Sequence, residues 1–357
     1  VAGGRLAAMA DTSWTSPDRV QGCRPLELSS CLLEHRLFDG FPAELVWASP
    51  TSEGAIGLDA ARPGALVVLL PGMPGFARMY AEFLSTLAEE SGCTAVSVSW
   101  SGHHEVPPKL LDSLPATPLR LAEQARFATA AVRELRAMPG VTDLVLVGHS
   151  LGCWFLANAL STIEAESGPC EVASVHLFCP VMEAMDTCER GRRLGPLLRT
   201  FRALRVNEVV CAVARAVKSD AFAAALQFIW WIRGKSSLEQ HDRLVWRRAA
   251  EHLGTAPHRV PVELGQEALE AIGPPGPWLE SLRGRQGRVV LHFGKSDAWT
   301  PEEVRSRWRS ADRLPEAQQY IHEMPHGIVT SRPAALSVAS VLASQIREEL
   351  RHVASKK

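Results

Sequence analysis

The chain has 357 residues, 46% of them hydrophobic, a formal net charge of −1 and eight cysteines at irregular positions. It is long enough for one large α/β domain with a sizeable insertion or for two modest domains, and its apolar content excludes a disordered chain. The near-zero charge gives no footprint for nucleic acid. With no C-x-x-C pair, neither a zinc cage nor a small disulfide scaffold is indicated, and a reducing compartment is the simpler expectation.

Because the first residue is Val1, the sequence reads as a fragment or as a gene model that opens upstream of a start such as Met9. The opening VAGGRLAAMADTSW lacks the continuous apolar core of a secretory signal. No segment reaches the roughly 20 uninterrupted apolar residues of a spanning helix. The expectation is a soluble chain or one that sits on a membrane surface. Residues 1–60 form an N-terminal segment with little pattern beyond PAELVWAS, a candidate edge strand.

From Ala65 the pattern sharpens. ALVVLL reads as a short buried strand closed by PGMPG, and ARMYAEFLSTLAEE places Met79, Phe83, Leu84 and Leu87 at helical spacing. CTAVSVSW is the next strand. TPLRLAEQARFATAAVRELRAM is a long amphipathic helix, with Thr117 as its expected N-cap, Pro118 in its first turn and Gly140 past its end. Strand DLVLVG, helix LGCWFLANALSTIEA and strand ASVHLFCP follow. Apolar strands alternating with helices predict an α/β fold, a mostly parallel central sheet flanked by helices.

The rhythm breaks over residues 182–282 and resumes with RVVLHFG, a helix opening near Pro301, a strand near QYIHEM and a final helix, ALSVASVLASQIREELRHV. The predicted core is therefore 61–181 with 283–357. The hundred residues between them are placed where a helical lid over an active site would be inserted.

The stretch VGHSLG sets Ser150 inside Gly-x-Ser-x-Gly, with a predicted strand before it and a helix after it. A nucleophile elbow needs this context, with Gly148 and Gly152 removing side chains where strand and helix approach. The bland alternative is a small residue at an ordinary turn. A serine hydroxyl needs a base, and the base needs a carboxylate to hold its tautomer. FGKSDAWTP offers Asp297 in the loop after an apolar strand, with Asp186 after the preceding strand as its rival. MPHGIVTS offers His326, with His322 as competitor; His322 falls inside the presumed strand, where its reach to a loop is smaller. The order Ser150, Asp297, His326 suits this architecture. PGMPG, at the C-terminal end of an early strand, offers the Met73 backbone N–H as one oxyanion donor and Leu151 N–H the other; the alternative for PGMPG is a plain turn.

Taken together, LLPGMPGFARMYAEFLSTL, VSWSGHHE, VLVGHSLG, FGKSDAWTP and MPHGIVTS resemble the lipid droplet-associated hydrolase family of α/β-hydrolases. The resemblance implies an α/β-hydrolase fold, a triad of Ser150, Asp297 and His326, association with lipid droplets or the endoplasmic reticulum, and hydrolysis of neutral-lipid or sterol esters. At Met73 the sequence departs from the family, where asparagine is usual. His103 and His104 are read as tying loops together or lining the pocket.

Over residues 189–248, thirteen Lys/Arg face five Asp/Glu. RRLGPLLRTFRALR steps Arg199, Arg202 and Arg205 along one side, with Leu194, Leu198, Phe201 and Leu204 on another, a pattern suited to an anionic lipid surface. AFAAALQFIWWIRGK is too short to span a bilayer. Its Phe228, Trp230 and Trp231, beside Arg233 and Lys235, suit a water-lipid boundary; the alternative is a lid helix whose tryptophans pack on the core. The expected activity is a serine ester hydrolase working on a lipid ester at a droplet or membrane surface through an acyl-enzyme. Alternatives are a droplet-binding protein with vestigial catalysis and an acyltransferase using the same triad. The chemistry calls for no cofactor and the sequence shows no metal site.

Overall fold

The computed structural model describes residues 31–50, 64–166, 170–204 and 261–355, with the isolated positions 209, 212 and 216. Eight strands form one sheet in the order β1-β2-β4-β3-β5-β6-β7-β8: β1 (Cys31–Phe38), β2 (Phe41–Ala48), β3 (Gly64–Leu70), β4 (Thr94–Val98), β5 (Val141–His149), β6 (Glu171–Phe178), β7 (Val289–Gly294) and β8 (Gln318–His322). β3 to β8 run parallel, and the β1–β2 hairpin joins antiparallel at β4. PAELVWAS is thus the second strand, with β1 outside it. Residues of β1 are half-exposed almost throughout, which is why CLLEHRLF shows no buried run.

Helices α1 (Ala81–Ser91), α2 (Leu121–Arg136), α3 (Leu151–Ile163), α4 (Glu189–Ala203), α5 (Pro261–Ala271), α6 (Trp278–Arg283), α7 (Glu302–Arg307) and α8 (Arg332–Ala354) connect or flank the strands. The two-residue period of a strand divides its apolar side chains between two layers. Val67 and Leu69 of β3 face a core with Phe83 and Leu87 of α1 and Leu342 and Ile346 of α8. Leu66, Val68 and Leu70 face the opposite core, with Phe127 and Leu135 of α2 and Phe155 and Leu160 of α3. Both faces of the central strands are therefore dry, as parallel pairing requires.

The expected start of α2 is corrected. Thr117 is exposed and lies before the helix, which opens at Leu121. Two carboxylates set that start: Glu123, three residues on, accepts the Arg120 N–H at 2.8 Å, and Glu267 on α5 accepts the Leu121 N–H at 2.9 Å and the Arg120 side chain at 3.0 Å. No local cap signal could report a partner 146 residues away.

Chain order across the sheet reverses between β3 and β5. From β3 the chain steps to β4 on one side, then crosses back to β5 and proceeds through β6, β7 and β8 on the other. In open parallel sheets ligands bind outside the carboxyl ends of strands at such a switch point. Here Leu70 pairs with Gly148, so the Pro71-Gly72-Met73 loop and Ser150 leave the sheet side by side. Between β6 and β7 the described residues include α4, α5 and α6, with α4 packed on α5 and α6 on α3. Among the described residues no helix is long and apolar enough to cross a membrane.

Candidate active site

Ser150 follows the last residue of β5 and precedes the first of α3, with φ +52° and ψ −122°. A non-glycine residue pays strain there, and such strain accumulates where function holds a side chain in place. The neighbouring glycines explain how the turn closes. A methyl at Gly152 would lie 2.2 Å from the Leu70 carbonyl oxygen and 2.6 Å from that of Pro71; at Gly148 it would lie 2.8 Å from Cys153 Cα. The Ser150 N–H donates to the Phe178 carbonyl at 2.8 Å, binding the turn to β6.

Ser150 Oγ is 2.8 Å from His326 Nε2, and His326 Nδ1 is 2.8 Å from Asp297 Oδ2. The two partners come from loops after β8 and β7, the strands furthest from β5 in that half of the sheet. Asp297 is buried and accepts two further bonds, from the Thr300 hydroxyl to Oδ2 at 2.7 Å and the Trp299 N–H to Oδ1 at 2.8 Å. Burial by itself would raise its pKa; the His326 hydrogen bond and charge, with Thr300 and Trp299, outweigh that and bring it to about 2. The carboxylate therefore stays ionised. Asp186 is exposed after β6, and His322 lies within β8, turned to His292 at 3.0 Å.

The β3–α1 loop reaches the elbow from the other side. A methyl at Gly72 would come within 2.9 Å of Ser150 Cβ, so this loop touches the serine turn. Met73, next in sequence, is half-buried. Leu151 is the first residue of α3, so its N–H has no acceptor within the helix. The loop is pinned from the segment after β4: Trp100 N–H donates to the Gly75 carbonyl at 2.9 Å, Ala77 N–H to Ser99 Oγ at 2.9 Å, and His103 Nδ1 lies 2.8 Å from the Pro74 carbonyl. His104 sits with its two ring nitrogens 2.9 and 3.0 Å from the Glu105 and Pro42 carbonyls. Both histidines tie loops together.

Three neighbours are given no role by the sequence motifs that contain or flank them. His149 precedes the serine, and burial, with the nearby His326 ring, lowers its pKa to about 4. Tyr80 hydrogen-bonds it at 2.5 Å. Cys179, at φ +47° after β6, is buried beside Asp297, and burial drives its thiol pKa well up. The GHSLG string contains His149, but nothing local reports its partners.

Among the described residues, two clusters bring ligating atoms within 4.8 Å: His35, Glu44 and His104, and Cys179, Asp297 and His326. In the first, Arg78 lies 2.5 Å from Glu44 and His104 is turned to backbone carbonyls. In the second, the Asp297–His326 bond itself occupies two of the three groups. Phe228, Trp230 and Trp231 lie outside the described residues, as does the whole of AFAAALQFIWWIRGK.

A mostly parallel eight-stranded sheet covered by helices, with a serine on a strand-to-helix turn, is the architecture of an α/β-hydrolase. Solved structures of that class superpose on most of this chain. The thioesterase domain from the curacin biosynthetic pathway matches with TM-score 0.56 and 15% identity, covering 89% of this chain and 99% of its own. A haloalkane dehalogenase loop variant from Bradyrhizobium elkanii matches at 0.56 and 16%, covering 92% and 100%. At such identities the likeness is one of fold alone.

The sequence carries the relationship further: the chain belongs to the lipid-droplet associated hydrolase family, whose model matches residues 63–329. A lipid droplet-associated hydrolase of Homo sapiens is 23% identical over 303 residues, 81% of this chain and 86% of that protein. One of Drosophila melanogaster is 27% identical over 294 residues, 78% and 88% respectively.

Proposed function

We propose that this chain is a serine ester hydrolase that cleaves lipid esters, neutral-lipid or sterol, through an acyl-enzyme on Ser150. The observation that carries the reading is the unbroken chain Ser150 Oγ, His326, Asp297, with both links at 2.8 Å. Asp297, ionised, fixes the proton of His326 on Nδ1 and leaves the Nε2 lone pair facing the serine. As Oγ attacks the ester carbonyl, its proton passes to Nε2, and the resulting imidazolium rests against the Asp297 carboxylate. The negative oxygen is met by the Met73 and Leu151 backbone N–H groups. Collapse expels the alcohol, which takes the proton from His326; water then repeats the sequence in reverse and frees the acid.

A lipid-facing role draws on the segment between β6 and β7, read as a lid. On α4, Arg190, Arg192, Arg193 and Arg199 are exposed, as are Leu197 and, just beyond, Leu204, while Leu194, Leu198 and Phe201 are half-buried. Basic and apolar groups exposed on one helix favour an anionic, hydrophobic boundary. The relatives' names add droplets. We place the chain as a monotopic protein at the cytosolic face of lipid droplets or the endoplasmic reticulum.

The test is a fluorophosphonate label and an ester series of increasing acyl length, with and without lipid particles, on the wild-type and Ser150→Ala chains. Labelling of wild type alone, with turnover reduced by about four to six orders of magnitude in Ser150→Ala, is expected. Retained hydrolysis in that variant rejects the assignment. An unlabelled wild-type chain that still binds lipid particles favours a droplet-binding protein instead, and transesterified products favour an acyltransferase.

A further inference from the structure

We infer that Tyr80 and His149 are positioning residues that hold the backbone of the His326 loop in place, joining it to the β3–α1 loop through one directional chain of hydrogen bonds. The inference rests on Ser150 and His326 acting as nucleophile and base.

The chain has three links. Gly72 N–H donates to the Tyr80 hydroxyl oxygen at 3.0 Å, Tyr80 lies 2.5 Å from His149 Nδ1, and His149 Nε2 lies 2.7 Å from the His326 carbonyl oxygen. Its direction follows from the two ends. A carbonyl oxygen only accepts, so the His149 proton is on Nε2. In the neutral ring Nδ1 then only accepts, so the Tyr80 O–H donates to it, leaving the phenol oxygen free to accept from Gly72. Every polar group in the chain has its partners, with the Tyr80 hydroxyl both accepting and donating. Tyr80 and His149 are both buried. Burial keeps each neutral, lowering the pKa of the imidazole to about 4 and raising that of the phenol.

Placement gives the chain its consequence. His326 stands in a loop after β8, an edge strand whose residues are mostly exposed, and Pro325 before it has no N–H to anchor. The His326 carbonyl also accepts from Ile328 at 3.1 Å, a bond within the loop itself. The bond from His149 instead reaches across to β5, whose next residue is the nucleophile. The same imidazole therefore sets the distance between the turn carrying Ser150 and the loop carrying its base. At its other end the chain holds Gly72, the residue before the proposed oxyanion donor Met73. A displacement of about 1 Å between reacting groups can cost a hundredfold in rate.

Tyr80→Phe deletes one oxygen and keeps the ring. The kcat of ester hydrolysis and the rate of fluorophosphonate labelling should fall about 10–100-fold while KM stays within about twofold, because proton transfer is harmed and substrate contact is not. His149→Phe, a ring with no donor, should fall at least as far. His149→Gln, whose amide can still donate to the His326 carbonyl, should recover part of the loss. A folded Tyr80→Phe chain with wild-type kcat overturns the proposal. So does loss confined to KM. Imidazole 15N spectra of the wild-type chain near neutral pH give a measurement that no folding failure can spoil: His149 must be the neutral Nε2–H tautomer, and an Nδ1–H ring or an imidazolium refutes the chain. Absence of labelling in wild type would count against the nucleophile itself, while the tautomer measurement still judges the hydrogen bonds.

Discussion

Replacing Asp297 by asparagine changes one oxygen to an amide nitrogen at constant shape, and the surrounding donors determine which oxygen is lost. Oδ2 accepts from His326 Nδ1 and Thr300, and Oδ1 accepts from the Trp299 N–H. If the amide oxygen took the Oδ2 place, its NH2 would face the Trp299 N–H, leaving two donors opposed at a cost of about 1–3 kcal/mol. In the other orientation the oxygen keeps Trp299 and the NH2 points at Thr300, which can accept, and at His326 Nδ1, which can accept only by moving its proton to Nε2. That arrangement satisfies the amide, so it should prevail. The proton then faces Ser150, and the ring can no longer act as a base. Loss of the correct tautomer costs about 10⁴-fold in kcat, equivalent to ~5 kcal/mol of barrier. Initial rates on a soluble ester, with thermal melting to show an intact fold, measure it directly. A folded Asp297→Asn chain that keeps more than about a tenth of wild-type kcat would show that the carboxylate does not orient His326.

Gly152→Ala should abolish the folded enzyme or lower its stability by ~3 kcal/mol or more, because the methyl meets two backbone carbonyls at 2.2 and 2.6 Å that no rotamer can move; a wild-type melting temperature would contradict the close approach of elbow and β3. Stability should fall on mild acidification. Burial lowers the pKa of His149 to about 4, shifts those of His104 and His322 the same way, and takes that of His292 well below its ordinary value. Above about pH 6.5 both folded and unfolded rings are neutral and no stability is lost; below it only the unfolded chain takes up protons, so stability declines as pH falls toward 4, with ~3 kcal/mol from His149 alone. Urea midpoints taken from pH 7.5 to 4.5 read this decline, and a flat midpoint would mean these rings protonate within the fold. Glu44→Gln removes the nearer of the two carboxylates beside the buried Arg78, 2.5 Å away against 3.9 Å for Glu105, and should cost ~3 kcal/mol in a denaturant titration by weakening the compensation of a dry guanidinium; an unchanged midpoint would mean that the neutral amide, or Glu105, holds Arg78 as well as the Glu44 carboxylate does.

The parts legible in the sequence are those whose cause is local. Strands β3, β5, β6 and β7 are buried on both faces, so each appears as an apolar run; β8 is exposed but sits between recognisable neighbours. The elbow is legible because Gly148, Ser150 and Gly152 stand at a fixed spacing between a strand and the helix that follows it, even though the contact that requires Gly152 is with the end of β3. Preferring His326 to His322 needed only the distinction between strand and loop. What could not be read depends on partners far along the chain. The start of α2 depends in part on Glu267, the β1–β2 hairpin is tied to the β3–α1 segment through Glu44 and Arg78 and to the loop after β4 through His104, and the role of His149 depends on a tyrosine 69 residues earlier and a carbonyl 177 later. A buried polar group must find a partner, yet that requirement leaves no period or spacing in the sequence by which to name it.

The electrostatics around Ser150 follow from the same dry environment acting on groups of opposite type. Burial disfavours whichever form is charged, so it lowers the pKa of His149 and raises those of Tyr80, Cys153 and Cys179, keeping all four neutral. Asp297 is subject to the same penalty and escapes it because His326, Thr300 and Trp299 all direct hydrogen atoms at its two oxygens. The resting site therefore holds a fixed negative charge behind His326 and uncharged groups at its flank. A proton leaving the serine gains from moving toward that charge and finds no rival cation in His149. Replacing Thr300 by valine would remove one of the three donors without changing shape, so the Asp297 carboxyl pKa should rise while the His326 bond remains. The pH titration profile of that carboxyl, followed by carbon-13 NMR, should then move to higher pH in Thr300→Val. A profile that coincides with wild type would mean that the threonine contributes only packing.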